Sequence, residues 1–346
     1  MLEMNALLLK EYKHLEMVEM PRPDIGSDDV LIRVRTCGIC GSDVHGLDGS
    51  TGRRIPPLVM GHEAAGEVVE TGVEARDLKP GDRVTFDSTI YCGRCYHCGR
   101  GEVNLCDNRQ VLGVSPGEYR RHGAFAEYVA VPRRIVYKLP GSLSYESAAL
   151  IEAVSVAVHA VNLTPVVLGE TGIVVGSGMI GILTIQALRA AGCARVIAVD
   201  IDEGRLTMAR QMGATATVNS KTADAVAAIQ EMTGGRGAAL ALECVGAQEP
   251  IRTAIHAVRK GGSVTLVGNV SPKIEIPLQV VVSRQIRLQG SCASSGEYPA
   301  SMELMASGAI RVEPLISAVA PLAEGPSWFD RLYRHEPNLM KVILRP

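Results

Sequence analysis

The chain has almost no excess of charge of either sign. Its 346 residues carry 35 Lys and Arg against 37 Asp and Glu, a formal net charge of -2. Without a basic surplus there is no electrostatic footprint for nucleic acid or an anionic membrane, and neither is expected as a partner. Long apolar runs are missing too. No segment offers 18 uncharged apolar residues, and the opening MLEMNALLLKEYKHLEM lacks a basic region followed by an apolar stretch and a small-residue cleavage site, so a soluble, cytoplasmic protein is expected. Nine cysteines, an odd number with four of them clustered, do not suit a secreted disulfide framework. Internal repeats and low-complexity tracts are absent as well. What is present, 47% hydrophobic residues over this length, suffices for a sizeable core, most naturally as two domains.

The cysteine cluster is YCGRCYHCGRGEVNLC, residues 91–106, which reads C-x2-C-x2-C-x7-C through Cys92, Cys95, Cys98 and Cys106. Zinc, an iron–sulfur cluster and a redox pair all use closely spaced thiolates. A ferredoxin-type run places proline after its fourth cysteine, whereas Cys106 is followed by Asp107, and no thioredoxin-like strand precedes Cys92. The remaining expectation is a tetrahedral zinc with every position filled by protein, a brace for a loop rather than a seat for substrate. His97 is then surplus to the ligand set. Cys37, Cys193, Cys244 and Cys292 are expected only to pack, as is His159, and His122 has no assigned role.

A working metal needs three protein ligands of mixed type and a vacant corner. Two runs offer them: TCGICGSDVHG, residues 36–46, with Cys40, Ser42 and His45 on a loop turning into a short helix, and PPLVMGHEAAGEVVETG, residues 56–72, with His62 and Glu63 before an alternating strand. Each is weak alone. A third acid, Glu152, lies in LIEAVSVAVHA. Farther along, GETGIVVGSGMIGILTIQALRAAGCARVIAVD, residues 169–200, places Gly176, Gly178 and Gly181 between a strand and a helix running from Met179 to about Ala191, with a second strand ending in Asp200. That context predicts a dinucleotide-binding turn: the glycines admit the pyrophosphate, the helix N-terminus faces its charge, and Asp200 accepts from the ribose hydroxyls. A carboxylate there repels a 2′-phosphate, so NAD is expected, with Arg205 nearby as the opposing signal. TATVN, ALALECVG and GSVTLVG continue as strands between helical runs, which predicts a doubly wound parallel sheet.

Taken together, CGICGSDVH, GHEAAGEVVETG, LKPGDRVTF, the four-cysteine lobe, GAFAEYVAVP and the nucleotide-binding half resemble the zinc-containing medium-chain dehydrogenases over nearly the whole chain. The resemblance implies an α/β protein with a GroES-like β-barrel catalytic domain at residues 1–156 and 291–346, a Rossmann domain at 157–290, and an active site in the cleft between them. It implies a catalytic zinc held by Cys40 and His62, with the third ligand drawn from Glu152 or Glu63. Polyol-type members usually carry Glu-Pro where this chain has Glu152-Ala153. Ser42, which also suits a helix N-cap, and His45 would relay the alcohol proton; Ile180 and Arg205 would lie near the adenosine, Val267 and Gly268 near the nicotinamide. The implied reaction is hydride transfer between NAD and a secondary alcohol, a polyol or sugar alcohol with or without phosphate, giving a ketose. Threonine and butanediol dehydrogenases share these motifs, and metal-free relatives that only bind pyridine nucleotide lack the ligands. A homodimer or homotetramer is implied as well.

Overall fold

The computed structural model describes residues 2–114 and 121–346. The chain divides into two compact units: Met1–Glu152, Tyr298–Ala306 and Val312–Pro346 make the first, Ala153–Glu297 and Ser307–Arg311 the second.

The first unit is built around the strand Asp29–Gly38, DVLIRVRTCG, whose apolar residues Val30, Ile32 and Val34 are buried. It pairs antiparallel with Glu63–Thr71, Tyr128–Pro132 and Lys341–Arg345. The seven-stranded sheet runs Val136–Lys138, Arg83–Phe86, Glu63–Thr71, Asp29–Gly38, Lys341–Arg345, Ile316–Pro321, with Tyr128–Pro132 off this path against Asp29–Gly38. A second sheet orders His14–Pro21, Glu3–Glu11 and Leu58–Val59. Leu7, Leu9, Ile32, Val84, Phe86, Phe125 and Phe329 belong to one shared core, and the apolar area they remove from water is what holds these strands together. Phe125 and Phe329 meet edge to face, centroids 5.7 Å apart, a geometry the ring quadrupoles favour.

The second unit is a six-stranded parallel sheet ordered Ala216–Asn219, Arg195–Asp200, Thr171–Val175, Ala238–Glu243, Val258–Leu266, Arg287–Gly290. Counted along this unit the order is third, second, first, fourth, fifth, sixth, so the winding direction reverses beside the first strand. IVV and RVIAVD become strands because both faces of a parallel sheet are buried, which requires continuous apolar runs. Ile173, Val175, Ile197, Val199 and Val264 pack with Ile251 and Ile255 of the helix Gln248–Ala257. The helix expected to start at Met179 spans Met179–Ala190. The α/β architecture expected from the sequence is therefore present. Among the described residues no helix is long and apolar enough to cross a membrane.

Candidate active site

Strand pairing assembles the first cluster. The register sets Cys37 opposite Ala64 and Gly38 opposite Glu63, so the chain leaving one strand at Cys40 meets the chain entering the next at His62. Gly61 makes that entry possible. Its φ of +94° is left-handed, and an added Cβ would lie 2.8 Å from the Phe125 amide nitrogen, so a side chain there meets both backbone strain and a clash. Ligand atoms of Cys40, His62 and Glu63 consequently lie within 4.8 Å of one another. Thiol, imidazole and carboxylate make a donor set that suits zinc. The residues fit a catalytic zinc.

Charged partners surround this set. Cys40 is the N-cap of the helix Gly41–Gly46, its sulfur accepting from the Ser42 amide while the Cys40 amide donates to Asp43; the cap is thus Cys40 and not Ser42. Asp43 is fully buried, with His62 Nδ1 3.4 Å from its Oδ1 and Arg54 Nη2 2.9 Å away. Burial alone would raise its pKa, but His62 and Arg54 hold the carboxyl far below its ordinary range. On the other side Lys341 Nζ donates to Glu63 Oε2 at 2.5 Å and to the Ile39 carbonyl at 3.1 Å. Burial opposes the ammonium charge, yet Glu63 and Cys40 raise its pKa above the usual value.

Glu152 opens the helix Ile151–Asn162 and is not part of the 4.8 Å set. Burial pushes its carboxyl up to about 7, with His62 opposing and Glu63 and Asp87 adding to the rise, which places Glu152 in the electrostatic range of the cluster. Of the two acids, Glu63 stands among the ligand atoms but is already ion-paired. Ser42 and His45 both lie exposed on the six-residue helix, three positions apart and so on one face. The Ser42 hydroxyl donates to Cys40 Sγ at 3.2 Å and accepts from Arg54 Nη2 at 2.9 Å. No hydrogen bond joins it to His45.

The four-cysteine lobe forms a second cluster, Cys92, Cys95, Cys98 and Cys106, also within 4.8 Å. Amides of Cys92 and Asn108 donate to Cys106 Sγ at 3.3 Å each. Amides of Arg94 and Cys95 bring the Cys92 thiol down to about 6, with burial opposing. Amide donors aimed at sulfur favour the thiolate that a metal requires. His97 bonds Glu102 at 2.9 Å instead, consistent with a site that needs no fifth ligand.

In the second unit Gly176 and Gly178 form the turn after Thr171–Val175, and Gly178 caps the helix Met179–Ala190 with no side-chain bond. The first amides of that helix are left for an anion. A Cβ on Gly181 would lie 1.8 Å from the Gly176 carbonyl oxygen, so helix and turn touch only because both are glycine. Asp200 ends the neighbouring strand and accepts from the amides of Ser177, Ile201 and Asp202. Three of about four acceptor positions of the carboxylate are thus used, leaving one open. Ile180 is half-buried, and Arg205 is exposed at the start of the helix Glu203–Gln211. The amides of Val267 and Gly268 both bond the Glu243 carbonyl.

Four residues that the sequence reading passed over hold these sites. Asp43 stood inside the quoted CGSDVH, but Arg54, Lys341 and Glu243 carried no local signal. Glu243 is fully buried and accepts from the Val245 and Gly246 amides, bracing the turn after its strand. His159 is buried against Glu297 at 2.7 Å, and His122 Nδ1 accepts from the Val59 amide. Cys37 and Cys193 are buried, whereas Cys292 is exposed.

Comparison with known proteins agrees with this geometry. Residues 26–141 match the alcohol dehydrogenase GroES-like domain, and residues 180–307 match the zinc-binding dehydrogenase family. Sorbitol dehydrogenase of Bacillus subtilis (strain 168) is 34% identical, with 99% of this chain and 97% of that protein covered. D-xylulose reductase A of Aspergillus oryzae is 34% identical over 94% of this chain and 93% of the relative. A Sinorhizobium meliloti 1021 protein solved with NADP bound superposes with a TM-score of 0.90 at 33% identity, covering 100% of both chains. The chain therefore belongs to the zinc-type medium-chain alcohol dehydrogenases and is an oxidoreductase of that family.

Proposed function

We propose that the protein transfers hydride between NAD and a secondary alcohol of the polyol or sugar-alcohol class, phosphorylated or not, giving the ketose. The observation that carries this reading is the convergence of Cys40, His62 and Glu63 ligand atoms within 4.8 Å, two residues from an exposed hydroxyl at Ser42. Cys40 and His62 would hold the catalytic zinc with Glu63 or Glu152 as third donor, and Cys92, Cys95, Cys98 and Cys106 a second, structural zinc. When bound, zinc supplies a Lewis acid for the alcohol oxygen and the nicotinamide supplies the hydride acceptor. Ser42 takes the alcohol proton and passes its own toward His45 through one bridging donor–acceptor, since no direct bond joins the two. The Gly176–Gly181 turn and the open amides of its helix hold the pyrophosphate, Ile180 flanks the adenosine, and Asp200 repels a 2′-phosphate. Arg205 is the one cation of this reading that would favour NADP. Polyol preference rests on the carboxylate-bearing metal site and on relatives named for sorbitol and xylulose. Val267 and Gly268 are assigned to the nicotinamide end.

A cytoplasmic homodimer or homotetramer completes the reading. Cysteines grouped as metal ligands rather than as disulfides suit a reducing compartment. The strand Arg287–Gly290 ends its sheet, and Val270, Leu278 and Val282 are exposed in the same unit, an apolar surface of the kind that subunits cover. Turnover of sorbitol, xylitol, iditol, galactitol 1-phosphate, butanediol and threonine with NAD and with NADP tests the assignment. Polyol oxidation with NAD, lost in Cys40→Ala, is the expected result; silence on every polyol, or preference for NADP, overturns the corresponding part.

A further inference from the structure

We propose that Arg54 is a positioning residue that fixes the polarity of the Ser42 hydroxyl in proton transfer, an inference that rests on the relay role given to Ser42 above. Arg54 is only 3% exposed, an unusual place for a guanidinium. Both protons of its Nη2 are committed, one to Ser42 Oγ at 2.9 Å and one to Asp43 Oδ1 at 2.9 Å, while its Nε is buried without a hydrogen bond. Burying a cation with one donor unmet is costly, so the two bonds it does make account for its position. Its stem is seated by Gly46: a Cβ there would come 2.8 Å from Arg54 Cδ and 3.0 Å from Cγ.

The consequence for Ser42 follows from counting. A hydroxyl has one proton to give and two lone pairs to receive with. Arginine only donates, so one lone pair is permanently occupied. The hydroxyl proton goes to Cys40 Sγ in this structure, and one lone pair is left to face the alcohol. With every position but one assigned, the path is fixed: on oxidation the alcohol O–H bond breaks toward the remaining Oγ lone pair while the proton that Ser42 carried turns away from Cys40 Sγ and leaves Oγ for His45 or solvent, and reduction retraces the same steps.

Arg54→Lys, Ser42→Ala and the double variant test this by a double-mutant cycle read in polyol turnover, in zinc content and in melting temperature. Expected for Arg54→Lys is a fall in kcat of about 10-fold or more, with KM within about twofold and zinc content at the wild-type level. In the Ser42→Ala background the same substitution is expected to cost nothing further. Gly46→Ala, which shifts the arginine stem and keeps every charge and hydroxyl, is expected to give the same loss in weaker form. Additive losses, losses that track zinc content, or unchanged kcat in both Arg54→Lys and Gly46→Ala overturn the proposal. Absence of turnover in the wild type counts instead against the substrate reading. In that case the melting cycle decides: a coupling shift of roughly 2 °C or more between Arg54 and Ser42 sustains the pairing, and its absence overturns it.

Discussion

Lys341 shows how much a single side chain carries. It is 2% exposed and pairs with Glu63 at 2.5 Å, so Lys341→Met would leave a buried carboxylate uncompensated beside two metal donors. The expected loss is about 3–5 kcal/mol of unfolding free energy, measurable as a shift in denaturant midpoint with unchanged slope. Glu297 gives a pH signature of opposite kind. Burial pushes its carboxyl up, but the His159 ring and the Ser295 amide hold it below the usual carboxylate range. A folded-state pKa below the unfolded value near about 4.3 means that stability from this pair is present above that pH and lost as pH falls through the lower folded value. The stability difference between wild type and Glu297→Gln should therefore be large at pH 7 and shrink below pH 4, when followed by denaturation at each pH. Neither residue was legible in the sequence, because buried pairs 278 and 138 positions apart leave no local pattern. Cys40, His62 and Asp200 were legible because turn chemistry and strand ends mark them locally.

At the level of elements, the glycine-rich turn was the most readable part of the chain, since strand, turn and helix each have their own period and occur in sequence. Gly181→Ala is expected to abolish NADH binding, followed by nicotinamide fluorescence, because the added carbon would meet the Gly176 carbonyl at 1.8 Å. The four-cysteine lobe was equally readable from spacing, and its order depends on metal for a physical reason. Between Cys92 and Cys106 it has one four-residue helix and one 3-10 turn, with Asn104 and Cys106 its only buried residues. Too little apolar surface is covered for such a segment to stay folded by itself. Chelation is expected to open residues 91–106 to proteolysis, and Cys95→Ala to reduce bound zinc from two ions per chain to one by elemental analysis. Retention of two ions in that variant would refute a structural zinc there.

For the whole molecule, alternation and turn signals indicated a β unit and a parallel unit, but the chain's repeated returns could not be read from any window. The described chain changes unit at Glu152, Glu297, Ala306 and Arg311, and its last return is made by long-range strand pairing. Lys341–Arg345 lies between Asp29–Gly38 and Ile316–Pro321, antiparallel to one and parallel to the other. Two neighbouring strands of this sheet supplied from so late in the chain impose an order on biosynthesis. Residues 153–297 emerge as one uninterrupted stretch with all six strands of their sheet, so that unit can close on itself during translation. The earlier-made metal-binding unit must wait, its sheet lacking the two strands at one end and its Glu63 lacking a counter-ion, until residue 345 has cleared the ribosome. On nascent chains of increasing length, protease resistance should therefore appear first in the later-synthesised nucleotide-binding segment and last in the N-terminal one.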